Sequence, residues 1–331
     1  MSERSDKIYR DEDVSLDSLE GKTIAIVGYG SQGKAQAKNL RDSGIDVIIG
    51  AGPKDRFPDW ENAEADDFDV MSIPEAVKNS DIVHVLLQDP AQPPEYYKSI
   101  HANLSEGQTL SFAHGFNVLY GTIKPPEYVD VILFVPNGPG PVVRNKYKEG
   151  SGIYGAVAVD QDYTGNALDK VLAMAKAIGS TRVGTVHLSF QKETEGDNFE
   201  EQVLYGGTIH LMRQVYQTMV DNGYPKFFAY AKAIRSIRSI IDDIDEVGIE
   251  EYLTRRASRT CEFAVRTNGP RVINDDEIQK VFEETSRGEF AKQWLIEFNN
   301  GMPTLNRLRR TWEDSDMEKT GEEFREFFDL S

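Results

Sequence analysis

Through the first 190 residues, short unbroken apolar runs alternate with stretches whose apolar residues recur every three to four positions. The runs are TIAIVG (23–28), DVIIG (46–50), DIVHVLL (81–87), TLSFAHG (109–115), VDVILFVP (129–136) and YGAVAVD (154–160). They are rich in β-branched residues and lack the alternation of a half-exposed strand, which predicts parallel strands buried on both faces. Between them QGKAQAKNLRDSG, IPEAVKNS, PEYYKSIHANL and TGNALDKVLAMAKAIGS predict helices, and RVGTVHLS (182–189) predicts a last strand. The series reads as a doubly wound α/β domain of Rossmann type over residues 1–189.

Beyond residue 190 the strand pattern stops. Helical periodicity predicts helices at 197–220, 225–247, 249–266, 275–287 and 289–300, punctuated by Gly223-Tyr224-Pro225 and Asn268-Gly269-Pro270. The stretch 197–220 is apolar around most of its circumference, through Phe199, Val203, Leu204, Ile209, Leu211, Met212, Val215 and Met219. Such a helix sits centrally in a bundle or is covered by a second subunit. The acidic tail from 311 is expected to fray. Residues 190–331 therefore read as an all-helical domain.

Charge narrows the partners. The net charge of −18 argues against nucleic acid, whose phosphates demand a basic surface. The apolar runs are strand-sized and too short to span a bilayer, and the polar start MSERSDKIYRDEDVS is unlike a secretion signal. A single cysteine, Cys261, excludes an internal disulfide and a cysteine-built metal site. The expectation is a cytoplasmic protein with no membrane partner.

Two places carry candidate chemistry. Gly28-Tyr29-Gly30-Ser31-Gln32-Gly33 follows the first long strand and opens a helix, the context a dinucleotide loop requires. Gly28 permits the tight turn, Gly30 admits a pyrophosphate, and Gly33 lets helix and strand pack closely. The loop AGPKDRFPDW after the next strand is mixed. Lys54 and Arg56 can hold a 2′-phosphate, and Asp55 or Asp59 can instead bond a free ribose, so the cofactor is NADP or NAD, with a lean towards NADP. His114 stands at the carboxyl end of a predicted parallel strand, where ligands bind in open α/β sheets, and is read as a polar group near substrate or nicotinamide. His84, inside its strand, is read as structural. The second place is KETEGDNFEEQ (192–202), with Glu193, Glu195, Asp197, Glu200 and Glu201. It is either a solvated helix start or a site where some carboxylates meet a cation.

GKTIAIVGYGSQGKAQAKNLRDSG, FAHGF (112–116), GPGPVVR (138–144) and ETEGDNFEEQVLYGG (193–207) together resemble the short-form ketol-acid reductoisomerases, in order and spacing, from about residue 7 to 265. The resemblance implies a Rossmann domain and a helical domain that interlocks in a homodimer. It also implies conversion of acetohydroxy acids to dihydroxy acids for branched-chain amino-acid synthesis, with two Mg²⁺ ions driving an alkyl migration and NADPH reducing the rearranged ketone. The family's metal carboxylates match Asp197 and Glu201. Their i, i+4 spacing puts both on one helix face, continued by Tyr205, Thr208 and Met212. Glu200 lies about 100° away on the helical wheel and Glu193 precedes Gly196, so both are expected to face solvent.

The departures fall in the chemistry. Where the family has A-P-K-G-P-G, this chain has Asn137 in place of the lysine. Where it has two glutamates in E-C-L-x-E-L, the matching positions are Lys232 and Ser236, and the usual cysteine before Gly-Gly is Tyr205. His114 and Ser258 are kept. Lys232, Arg235 and Arg238 form a basic stripe at i, i+3, i+6. Lys232 either replaces the charge of a second metal or is a solvated surface residue. The leading expectation is an NAD(P)H-dependent reductase of a small 2-keto acid or related C=O or C=N group, with ketopantoate as one candidate and little alkyl migration. In it Asp197 and Glu201 hold one Mg²⁺ or the Lys232 ammonium, and Ser258 and Asn137 orient substrate. The alternatives are a true ketol-acid reductoisomerase with an altered Mg²⁺ site and a non-catalytic dinucleotide sensor.

Overall fold

The computed structural model describes residues 7–54 and 57–328. The chain divides into two compact units, Met1–Gly196 and Asp197–Ser331.

In the N-terminal unit the described residues form nine strands: β1 Ile8–Tyr9, β2 Thr23–Val27, β3 Asp46–Ala51, β4 Asp69–Ser72, β5 Ile82–Val85, β6 Thr109–Phe112, β7 Asp130–Pro136, β8 Gly155–Gln161 and β9 Thr185–His187. Their order in one sheet is β1-β9-β8-β7-β6-β5-β2-β3-β4. The chain leaves β2 towards β3 on one side and takes up β5 on the other, which places the topological switch point, the usual ligand crevice, between β2 and β5. Alternate residues feed two cores. Ile82, Ile132 and Phe134 pack with the helices Ser31–Asp42 and Ala167–Ile178, and Val83, Val85, Val131 and Leu133 pack with Tyr96 and Ile100.

The sheet is mixed, which corrects the all-parallel expectation. β7 and β8 are antiparallel, as are β1 and β9. The pattern misled because β8 is covered on both faces as a parallel strand would be, and continuous apolar character reports coverage, not direction. β1 and β4 were not expected, being edge strands of only two and four residues. The buried pair Lys170–Asp130, at 2.6 Å, ties the helix Ala167–Ile178 to the start of β7.

The C-terminal unit is helical, with differences from the expected boundaries. The first helix starts at Phe190, not 197, and runs Phe190–Glu200, a π turn Glu201–Tyr205 and Gly206–Asp221. The stretch 225–247 carries a π turn at Ala231–Arg235, and 249–266 is broken at Ser258, which starts the new helix Arg259–Asn268. Among the described residues the tail does not fray. It forms the helices Pro303–Glu313 and Asp316–Phe327. Met317, Thr320, Gly321 and Phe324 recur on one face and are buried, packing with Tyr216, Ala229 and Tyr230. Abundant carboxylates hid this apolar stripe, although they occupy only the other face. Ser315 caps the helix, its hydroxyl accepting from the Glu318 amide at 3.4 Å.

Candidate active site

The carboxyl ends of β2, β5, β6 and β7 carry the glycine loop, Asp89, His114 and Asn137. Gly28 sits at φ +100°, a conformation that disfavours any side chain. A Cβ on Gly33 would lie 2.0 Å from the Gly28 carbonyl oxygen, whereas one on Gly30 meets nothing within 4 Å. Close packing beneath the loop and open space above it suit a bound pyrophosphate.

The other loop residues are held in specific ways. Tyr29 is buried, so only its backbone can meet a ligand, and its amide donates to Asp59 Oδ2 at 3.0 Å. Its phenol donates to Asp66, which also binds Lys34 at 2.9 Å and Lys38 at 2.6 Å. Gln32 donates to the Gly138 carbonyl at 2.8 Å and accepts from Gln36 Nε2 at 3.2 Å, and Gln36 Oε1 lies 2.9 Å from His84 Nε2. A Cβ on Gly140 would lie 2.1 Å from the Ser31 carbonyl oxygen. The glycine loop and residues 138–140 are thus packed and bonded as one piece. His84 is fully buried, as its structural reading requires, and burial lowers its pKa to about 4, so it stays neutral.

Asp66 anchors this loop and offers a stability test. Burial alone would raise its carboxyl pKa, but hydrogen bonds from Lys38, Lys34 and Tyr29 outweigh it and hold the pKa at about 2. Because the folded pKa lies below the unfolded one, the stabilisation is present above about pH 4 and is lost as pH falls towards 2. Replacing Asp66 by Asn is expected to lower stability by about 2 kcal/mol at pH 7. The deficit should roughly halve by pH 3. Denaturant midpoints of both proteins across that range check this, and a pH-independent deficit would assign the loss to packing instead.

His114 follows β6. Its Nδ1 lies 2.7 Å from Asp89 Oδ2, a residue the sequence reading missed because QDPAQPP looks like an ordinary proline turn. Asn137 is exposed at the end of β7, its amide donating to the Tyr154 carbonyl at 2.9 Å. Lys54 pairs with Glu64 at 2.7 Å, both exposed, and Arg56 lies outside the described residues.

In the C-terminal unit and the helix leading into it, the acidic cluster divides differently from the expectation. Glu193 is buried at 7% exposure, not solvent-facing, because the helix starts seven residues earlier than expected and turns it inward. Glu200 is half-buried and accepts from the Tyr205 phenol instead of facing water, because the following π turn brings Tyr205 round to it. Burial, the Glu200 bond and the charges of Asp197 and Glu201 all raise the Tyr205 pKa. Of the candidate pair, Asp197 is half-buried and Glu201 exposed. Lys232 is exposed, with its ammonium 5.4 Å from the Phe228 ring, and lies with Arg235 in the π turn Ala231–Arg235; Arg235 and Arg238 are exposed as well. Ser258 caps its helix, its hydroxyl accepting from the Cys261 amide at 3.1 Å, which leaves its hydroxyl hydrogen to donate.

Residues 18–184 match the family model for the acetohydroxy acid isomeroreductase NADPH-binding domain, and residues 190–329 match that for the ketol-acid reductoisomerase C-terminal domain. The chain belongs to the ketol-acid reductoisomerase family. It is 49% identical to a ketol-acid reductoisomerase (NADP(+)) of Methanopyrus kandleri, over 96% of this chain and 97% of that one. It is 47% identical to the Pyrococcus abyssi protein of the same name, over 95% of each. An NADH-preferring ketol-acid reductoisomerase from an uncultured archean superposes with a TM-score of 0.93 at 38% identity, covering 97% of this chain and 98% of that one. As a member of this family the protein is an NAD(P)-dependent oxidoreductase.

Asp197 and Glu201 are the carboxylates of the acidic cluster whose chemistry fits a Mg²⁺ ion. Among the described residues no group of three or more His, Cys, Asp or Glu side chains is placed to hold a metal. Mg²⁺ is commonly bound by one or two carboxylates and several waters, which Asp197 and Glu201 can supply. No helix among the described residues is long and apolar enough to cross a membrane.

Proposed function

We propose that this family member uses NADPH to reduce a small 2-keto acid and has little capacity for alkyl migration. The observation that carries the reading is the cation site: one carboxylate pair, Asp197 and Glu201, with Lys232, Ser236 and Asn137 at positions where the family pattern has charged catalytic groups. The glycine loop cradles the dinucleotide. Asp197 and Glu201 hold one Mg²⁺ or the Lys232 ammonium; the metal, when bound, supplies a Lewis acid for the substrate oxygen. The carbonyl carbon accepts the hydride, the π pair moves to oxygen, and His114 provides the proton. Ser258 and Asn137 orient substrate. Branched-chain keto acids, and ketopantoate among them, are the proposed substrate class. The deciding experiment offers acetolactate and its rearranged ketone side by side, and Mg²⁺-dependent turnover of both would establish the second reading, a complete ketol-acid reductoisomerase serving branched-chain amino-acid synthesis.

NADPH is favoured by the relatives' names and by Lys54. Its exposed pair with Glu64 is worth at most about 1 kcal/mol, so the ammonium is readily given up to a 2′-phosphate. Lys54→Ala is expected to weaken NADPH about tenfold and NADH less than twofold, measured by fluorescence titration. Equal losses would show that this loop does not read the phosphate.

The working form is proposed to be a homodimer. Leu204, Ile209, Leu211 and Val215 are exposed along one helical stretch, apolar surface that a second copy of the chain would cover. An active monomer in light scattering would refute it.

A further inference from the structure

We propose that Asp89 is a positioning residue that fixes the ring and the proton of His114; this rests on the reading of His114 as the proton source for the reduced carbonyl. The two stand beyond the carboxyl ends of β5 and β6, adjacent parallel strands beside the switch point. The Asp89 carboxylate lies 2.7 Å from His114 Nδ1, and both side chains are about four-fifths buried, at 23% and 20% exposure. At that distance, with an acceptor-only carboxylate, Nδ1 must carry its hydrogen. Nε2, which is itself buried, is then the nitrogen left to exchange a proton.

The Asp89 turn is itself held from below. Buried Asn117 donates to the Asp89 carbonyl at 2.8 Å and to Gln92 Oε1 at 3.0 Å. Buried Gln92 donates to the Leu87 carbonyl at 2.7 Å and to Asp89 Oδ1 at 3.4 Å. Thr122 donates to Asn117 Oδ1 at 2.6 Å, which fixes the orientation of that amide. On the other side Gly115 is pressed against the helix Phe190–Glu200, where a Cβ would come within 2.1 Å of Thr194 Oγ1. A carboxylate bonded by the buried Gln92 amide, on a turn whose carbonyl the buried Asn117 amide holds, and facing an imidazole on a packed loop, is an arrangement that orients a general acid. When the ketone is reduced, the oxygen takes the Nε2 proton and the imidazole left behind keeps its Nδ1 hydrogen on Asp89. The ring then regains a proton from water.

The test uses the full-length enzyme with NADPH and 3-hydroxy-3-methyl-2-oxobutyrate. Asp89→Asn is expected to lower kcat about 100-fold and to change KM by less than about threefold, at an unchanged melting temperature. Asp89→Glu should recover much of kcat. The double variant Asp89→Asn/His114→Gln should be no slower than His114→Gln alone, because Asp89 acts only through the ring. Normal kcat in Asp89→Asn with a slow His114→Gln overturns the proposal and leaves the role of His114 standing. Normal kcat in both removes His114 from the chemistry and the proposal with it. Independently of turnover, and of whether any variant folds, nitrogen-15 NMR of histidine-labelled wild-type enzyme at pH 8 should show His114 protonated at Nδ1. A ring bare at Nδ1 overturns the proposal.

Discussion

Acetolactate, offered with NADPH and Mg²⁺, should be turned over at least about a thousand times more slowly than 3-hydroxy-3-methyl-2-oxobutyrate, its already rearranged ketone. Migration requires the substrate hydroxyl deprotonated and the neighbouring ketone polarised at once, which the family resemblance assigns to two Mg²⁺ ions. One carboxylate pair can support one cation. Asn137 is neutral, and Lys232 and Ser236 are poor Mg²⁺ ligands: an ammonium repels the ion and a hydroxyl adds no charge. Losing one electrostatic group costs roughly 3–4 kcal/mol in a water-excluded site, so two losses exceed three decades in rate. Hydride delivery needs one cation on one carbonyl and survives. Similar Mg²⁺-dependent rates on both substrates would mean that the metals find ligands beyond Asp197 and Glu201.

Substituting Asp197 by Asn, or Glu201 by Gln, should reduce kcat for the rearranged ketone by about 100- to 1,000-fold, with dinucleotide affinity unchanged. The glycine loop belongs to the N-terminal unit and the carboxylates to the C-terminal one, so cofactor binding and carbonyl activation are separable by measurement. Both substitutions preserve side-chain shape and a hydrogen-bonding oxygen, and remove only the charge that holds a cation. Glu200→Gln is the comparison: Glu200 accepts from Tyr205, and its loss should cost much less. Steady-state kinetics with NADPH fluorescence titration decide this. If all three variants keep wild-type kcat, Asp197 and Glu201 hold no catalytic cation.

The sequence showed the glycine loop, most of the strands and the family, because each rests on a local pattern. It did not show strand direction in β7 and β8, since burial on both faces looks alike in either direction. Asp89 was invisible because its partner lies 25 residues away and its own neighbours spell a turn. The π turns at 201–205 and 231–235 have no residue signature, yet they decide where Glu200, Tyr205 and Lys232 point. Wheel arithmetic assumes an unbroken α-helix, which each π turn interrupts. The tail helix was legible in principle through Met317, Thr320 and Phe324, but its net charge was given more weight than its spacing.

The bonded row that runs from His84 through Gln36 and Gln32 to the Gly138 carbonyl bears on how this domain can be rebuilt. Its direction is set from one end. The Gly138 carbonyl can only accept, so Gln32 must present its amide nitrogen there and its oxygen to Gln36. Gln36 in turn presents its oxygen to His84, which must carry its hydrogen on Nε2. Position 32 is formally a free letter in GxGxxG, and many dinucleotide loops could be transplanted into the gap between β2 and its helix. A chimera with an apolar residue at 32 would keep its phosphate cradle. It would also strand a carbonyl at 138 and an amide at 36, each at a cost of about 1–3 kcal/mol, and release the strand end that presents Asn137. The cofactor loop is not a portable cartridge here, and swapping it requires redesigning positions 36, 84 and 138–140 in the same step.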